Sequence, residues 1–400
     1  MASVSAAASS RAPRMRTVLR EEERVTPLEL FFDLVFVLAI TQCTALMAAD
    51  PTWEGVLKGL LVLGVLWWSW VGYAWLTSVV EPEEGAVRGV IFAAMAALLV
   101  AALCVPDAFG DEGLLFACAY GIVRAAHIGL FLIASRDDPA FRRSTLGLAV
   151  GTATGVGILI VASFTDGALQ VALWALALLL DMAEPYFFGA DGWKLMPSHF
   201  AERHGLIVII ALGESIVAIG VGATHGVDAG VVVASVLGIA VAAAIWWLYF
   251  DVVALVAERR LAEAEAGREQ NEMARDSYSY LHFPMVAGIV LLALGMKKTL
   301  EDVSEPLDLV PVAAALGGTA IYLLAHVAFR LRNVHSLNTR RLLCAVLLFA
   351  LIPVAHEIPA LAAIAILAGI LAALIAYEVI RYSEFRERIR SELAHGSSPV

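Results

Sequence analysis

Residues 29–41 read ELFFDLVFVLAIT, an apolar run that carries two carboxylates, Glu29 and Asp33, within its first two turns. The apolar character extends over 28–48. At about 1.5 Å per residue that is enough helix to cross a hydrocarbon core of about 30 Å. Comparable runs recur at 56–79, 87–105, 114–134, 146–164, 168–186, 205–223, 231–254, 281–296, 309–329, 342–357 and 360–380. The chain has 400 residues, of which 60% are hydrophobic and only 16% charged, a composition far from that of a soluble domain. The expected fold is all-α and polytopic, with about twelve transmembrane helices. The four cysteines, Cys43, Cys104, Cys118 and Cys344, lie in or near spans without CxxC spacing and read as small apolar residues.

With a cytoplasmic N-terminus, every Lys and Arg except Lys58, Lys297, Lys298 and Arg124 falls in an inner segment, while the outer loops hold acids, as in VPDAFGDEG. The positive-inside rule therefore favours an even number of spans, both termini in the cytoplasm and a place in the plasma membrane. The first twenty residues, MASVSAAASSRAPRMRTVLR, have no apolar signal core and read as a short tail, leaving the first span as the targeting signal. A net charge of −11 and the absence of a basic stripe argue against a nucleic-acid partner. The expected partners are the bilayer, a small ion or solute, and a second copy in a homodimer.

Internal matches suggest a duplication. WWSWVGY (67–73) and WWLYFD (246–251) lie six spans apart, as do YGIVRAAHIGL and YLLAHVAFRL. Setting Tyr120 against Tyr322 places Arg124 opposite His326, and Asp33 can be laid against Glu214. The expected architecture is two parallel six-helix repeats. Its parts are a cytoplasmic tail (1–27), a first half (28–186), an inner connecting loop (187–204), a second half (205–382) and a cytoplasmic tail (383–400) whose start reads as a short helix. The segment AERRLAEAEAGREQNEMARDSY reads as one cytoplasmic helix with a solvated charged face.

An ionised side chain near mid-membrane costs about 2.5–3.5 kcal/mol on insertion scales, so those retained are candidates for a role. Asp33, Arg124, Glu214 and His326 are the strongest, either lining a polar pathway or forming buried ion pairs, with Arg124 paired to Asp33 or Glu214. Asp181, Glu184, His282 and Glu357 stand closer to helix ends. Glu29 is expected to snorkel to the inner interface, and Asp251 and Glu378 to be interfacial. His199, Glu202 and His204 lie close in sequence, but their spacing does not put both rings on one helical face, so no metal is expected. Gly147, Gly151 and Gly155 form a small-residue stripe suited to close helix packing. The aromatic run Trp67, Trp68, Trp70, Tyr73 and Trp75 reads as core packing with an interfacial belt. No hydrolase elbow, HExxH or nucleotide-binding loop appears, so neither an enzyme nor a cofactor is expected.

TPLELFFDLVFVLAIT (26–41), HFAERHGLIVIIALGESIVAIG (199–220), WWLYFD (246–251) and HFPMVAGIVLLALGMKK (282–298) resemble the bacterial low temperature requirement protein A family over about residues 20–385. The resemblance implies a multi-pass bacterial membrane protein. Glu29, Asp33, Glu202, Arg203, His204, Glu214 and Ser215 are its signature residues here. A second similarity relates FFDLVFVLAIT to the FSD pore-helix motif of lysosomal and bacterial potassium channels. Phe31, Asp33, Val35 and Phe36 match, but Phe32 stands where that motif has Ser, and the seventh span lacks the pattern. The expected function is transporter-like movement of a small solute or ion coupled to protons through Asp33, Arg124, Glu214 and His326. The alternatives are a cation channel and a membrane sensor or scaffold.

Overall fold

In a computed structural model, residues 24–187, 192–223, 226–381 and 383 are described. The N-terminal tail before residue 24, part of the connecting loop at 188–191 and the C-terminal tail beyond 383 lie outside them. Among the described residues all regular structure is helical. The helices are α1 (Pro27–Ala49), α2 (Trp53–Thr77), α3 (Gly85–Cys104), α4 (Gly113–Ala134), α5 (Pro139–Ala162), α6 (Gly167–Phe187), α7 (Pro197–Gly222), α8 (Ala229–Phe250), the short α9 (Val253–Glu263) and α10 (Arg268–Met273), α11 (His282–Glu301), α12 (Leu309–Val334), α13 (Thr339–Ala355) and α14 (Ala360–Arg381).

The helix starts follow from local chemistry. Thr26 caps α1 reciprocally: its side chain accepts from Glu29 N, the Glu29 carboxylate accepts from Thr26 N at 2.8 Å, and Pro27 occupies the first turn. Thr52, Asp138, Asp228 and Asn338 cap α2, α5, α8 and α13 in the same side-chain-to-backbone manner. Eleven helical segments are long and apolar enough to cross a membrane. The expected eleventh span, α13, is a helix of 17 residues with Pro353 near its end, at the lower limit of what a crossing needs. Large apolar side chains such as Leu34, Val150, Leu179 and Val236 stand exposed on the outer faces, as lipid contact requires of a bundle with so little charge.

Two boundaries differ from the sequence expectation. α7 begins at Pro197, so His199–His204 are helical rather than part of a connecting loop. The charged segment after α8 is two helices, α9 and α10, separated at Gly267, whose φ of +106° suits only glycine. From α10 the backbone runs into α11 through a wide π turn, Ala274–Tyr280, closed by Leu281 N donating to Asp276 O at 3.2 Å.

The helices pack in two comparable circuits. α1 lies on α2 and α3, α3 on α4, α4 on α5, α5 on α6, and α6 returns to α2. Likewise α7 lies on α8 and α11, α11 on α12, α12 on α13, α13 on α14, and α14 returns to α8. α1 and α2 meet α7 and α11 between the circuits. α11 and α12 approach closest: a Cβ at Gly288 would come within 2.5 Å of Gly318 O, and one at Gly318 within 2.7 Å of Gly288 O. Small residues there let the backbones touch, which is how membrane helices gain packing energy without a hydrophobic drive between them.

Candidate functional site

The opening acids of α1 meet the opening turns of α7. Glu29 Oε1 accepts from Arg203 at 2.9 Å and from His199 Nε2 at 2.8 Å, while His199 Nδ1 contacts the Ser78 hydroxyl at 3.1 Å. Asp33 Oδ1 accepts from Arg203 at 2.8 Å and from the Trp70 indole at 2.9 Å, and Asp33 Oδ2 has no partner. Glu29, Asp33, His199 and Arg203 are all buried. Glu29 therefore does not snorkel: its carboxylate is consumed by the Thr26 cap and by α7, where the helical start at Pro197 brings His199 and Arg203 within reach. Removing water from such charges is compensated only by complete pairing, and this cluster is close to complete.

Further along the same seam, the Thr41 hydroxyl donates to Glu214. Thr41 is eight residues past Asp33, about 12 Å along the helix. Asp33 and Glu214 thus share a helix interface but not a chamber. The Ser215 hydroxyl is buried without a partner, and Glu202 is exposed, accepting from Val25 N at 3.1 Å. Of the signature residues, Glu29, Asp33 and Arg203 bond directly, and His204 lies beside Trp70 with ring centroids 5.0 Å apart.

Arg124 is elsewhere. Its guanidinium donates to Asp181 Oδ1 at 3.0 Å, to Trp68 O at 3.2 Å and to the Thr152 hydroxyl, and Asp181 Oδ2 accepts from Tyr120 OH at 3.0 Å. The expected partner Asp33 or Glu214 is replaced by an acid on α6, because α4 packs chiefly against α3, α5 and α2. Arg124 borders a cavity of about 80 Å³ between α2, α4, α5, α6 and the α10–π turn segment, whose wall includes His127, Glu184, Trp75, Trp193 and Phe131. Oε2 of Glu184 is buried without a partner, and the His127 ring is buried against the backbone at Gly72, where a Cβ would come within 2.8 Å of its Cε1. Glu184 lies flat on α5 because residue 151 is glycine; a Cβ there would come within 2.8 Å of Glu184 Cγ.

A second pocket, of about 300 Å³, opens between α8, α12, α13 and α14. Arg341 reaches across it to Glu378 with two bonds, Nε–Oε1 at 3.0 Å and Nη2–Oε2 at 2.9 Å, and its Nη1 lies 2.8 Å from His326 Nδ1. Arginine can only donate, so Nδ1 accepts and the unpartnered His326 Nε2 carries the proton. Glu378 is thus a fixed partner of Arg341 and not a free interfacial acid, whereas Asp251 does line the pocket wall. His282 is fixed too: Nδ1 donates to Ser277 O at 3.0 Å and Nε2 accepts from Tyr249 OH at 2.7 Å. The π turn is also where the two circuits are tied, for Trp67 and Trp75 donate to Ser279 O and Ser279 Oγ at 2.9 and 3.0 Å.

The four strongest sequence candidates therefore stand in three places. Asp33 and Glu214 lie on the α1–α7 seam, Arg124 on the first pocket and His326 on the second. His127 and Arg341 were not legible as candidates. His127 carried a usable signal, three residues after Arg124 and hence on its helical face. Arg341 sits in what reads as a basic loop, and only the Asn338 cap betrays the helix start.

The family model of the bacterial low temperature requirement A protein matches residues 24–376. An uncharacterized protein of Rhizobium meliloti (strain 1021) is 30% identical over 311 residues, 74% of this chain and 74% of that one. No solved structure matches the chain.

Proposed function

The chain belongs to the bacterial low temperature requirement A family, and from that premise we propose that it is a membrane transport protein that moves a small solute or ion in exchange for, or together with, protons. One observation carries the proposal: a cavity in the apolar interior reaches Glu184, whose Oε2 is buried without a hydrogen-bond partner among the described residues, beside the His127 ring that packs on Gly72. A purely structural charge inside a membrane bundle is expected to be paired, as Arg203 and Arg341 are. Unpaired polar atoms lining a space are the arrangement of a site that completes itself with something else.

The duplicated architecture belongs to this proposal. Both circuits form a pocket among their second, fourth, fifth and sixth long helices, and both fix it with an arginine–carboxylate pair, Arg124–Asp181 and Arg341–Glu378. The Trp68 and Trp247 walls fall at matching places in WWSW and WWLY, and Arg124 and His326 at matching places on α4 and α12. That correspondence supports two parallel repeats with the α1–α7 seam between them, and the basic loops favour pockets that open to the cytoplasm of a plasma-membrane protein. In this proposal Arg124 and His326 belong to the polar pathway, and Asp33 and Glu214 hold the seam. The seam bonding weighs against a potassium pore, since the acid of that motif, Asp33, is closed off by Arg203 and Trp70.

The test is reconstitution into liposomes holding a pH-sensitive dye, challenged with amines, amino acids, carboxylates and alkali salts. At least one solute class should change the internal pH, and Glu184→Gln should abolish the response in a protein that still elutes as folded. Responses identical to those of empty liposomes for every class would overturn transport.

A further inference from the structure

The charges around the first cavity do not balance in the way its geometry would suggest. Arg124 is engaged on three sides, by Asp181, Thr152 and the Trp68 carbonyl. Arg275, at the rim, donates to Asp276 at 2.8 Å and stacks on the Tyr186 ring at 4.1 Å, with Asp276 shared further with Arg332 at 3.1 Å. Glu184 is the remaining carboxylate: it is 5% exposed, its Oε2 has no hydrogen-bond partner, and it forms no ion pair among the described residues. The same cavity is lined by a run of aromatic rings in contact, with Trp75 and Trp193 at 5.8 Å between centroids, Trp193 and Phe131 at 5.0 Å, and Phe131 and His127 at 4.8 Å.

We propose that this cavity binds a small organic cation, an ammonium bearing a few carbons, with Glu184 as its counter-ion and the Trp75–Trp193–Phe131 wall as its apolar face. Ring faces attract a desolvated ammonium and take up its alkyl groups, whereas an anion would meet those faces with the wrong sign; Arg124 Nε, buried without a partner, is the one donor left to an anion, and the acetate arm of the test below addresses it. A water occupies about 10–15 Å³ on this measure of volume, so about 80 Å³ holds several water-sized bodies and suits a cation of a few heavy atoms. An unpaired carboxylate in such a site is costly, so in the empty cavity Glu184 carries a proton. When the cation enters, the O–H bond of Glu184 breaks, the proton leaves to water and the carboxylate pairs with the ammonium. Cation and proton therefore exclude one another at one oxygen pair. This deepens the transport proposal by naming the solute class, and rests on it only for the claim that the cation is carried across.

The test uses the full-length protein in detergent and tetramethylammonium as the probe. Titration should quench tryptophan fluorescence saturably, and in weak buffer about one proton should be released per cation bound, as linkage between the two requires. Glu184→Gln should weaken binding at least tenfold, and Trp193→Leu several-fold with the melting temperature unchanged. Glu54→Gln, on an exposed pair with Lys58, should bind as the native protein does. Absence of saturable binding, binding without proton release, or saturable acetate binding that Arg275→Gln removes would each overturn the proposal. If Glu184→Gln does not fold, the proton count on the native protein decides. Cation binding without flux in liposomes would leave the site standing and remove transport, while solute flux without cation binding would do the reverse.

Discussion

The two pockets are built from the same places in their circuits and differ in how they settle their charge. In the second, Arg341 and Glu378 match one to one through two bonds, and His326 completes the arginine. In the first, one arginine faces two acids a single turn apart on α6: Asp181 bonds Arg124 directly, while Glu184 feels the same guanidinium only through space and its Oε2 is left without a hydrogen bond. One pocket is closed upon itself, and the other has a group in reserve. A buried charge marks function less reliably than a buried charge that its own fold has not used.

The contrast can be broken by removing partners. The largest effect is expected outside both pockets, at the seam, where Arg203→Ala would strand Glu29 and Asp33 in the interior. Loss of one partner of a buried pair costs about 3–5 kcal/mol. The variant should fail to accumulate or should lose its monodisperse elution on mild heating, whereas near-native melting would show that the seam is wetter than its geometry. Next is Arg341→Ala, which leaves the more accessible Glu378 without its charged hydrogen bonds, a loss of about 1.5–3 kcal/mol, measurable as a lower melting temperature in detergent. Smaller again is Gly151→Ala. Its Cβ would press on Glu184 Cγ, and overpacking of this kind costs about 1–3 kcal/mol. Fluorescence titration of tetramethylammonium should find weaker binding in that variant, while the same substitution at Gly213, with open space around it, should change nothing.

Much of the fold could be read directly. The apolar runs locate the long helices, because the hydrocarbon core sets a minimum helix that a soluble protein rarely repeats, but not their polar ends: α5 and α7 begin at Pro139 and Pro197, well before the runs at 146 and 205. The limits came from polar residues inside helices. Pro197 and His199 read as loop because the stretch around them is rich in Gly, Pro and aromatic residues, yet α7 already begins at Pro197, and in that helix His199 and Arg203 reach carboxylate partners. Arg124 was identified as a buried charge but assigned the wrong partner, for sequence gives depth along a helix and not the neighbour across from it. His127, ordinary in sequence, became a candidate only when the fold placed it on the cavity, and Glu184, read as a charge near a helix end, rose above the others only when its Oε2 proved to lack a partner. The π turn at Ala274–Tyr280 had no sequence signature at all, although Ser279 within it holds two of the tryptophans that α2 contributes.

The most direct measurement compares Glu184→Gln with Glu378→Gln by thermal unfolding of the purified proteins in one detergent. If Glu184 is uncommitted and Glu378 is a structural partner, Glu184→Gln melts close to the native temperature, because in the empty cavity the amide replaces an already neutral carboxyl of the same shape and no paired charge is lost. Glu378→Gln then melts clearly below it, having left Arg341 without its anion. Equal destabilisation by both substitutions would contradict the distinction and return Glu184 to the structural pairs.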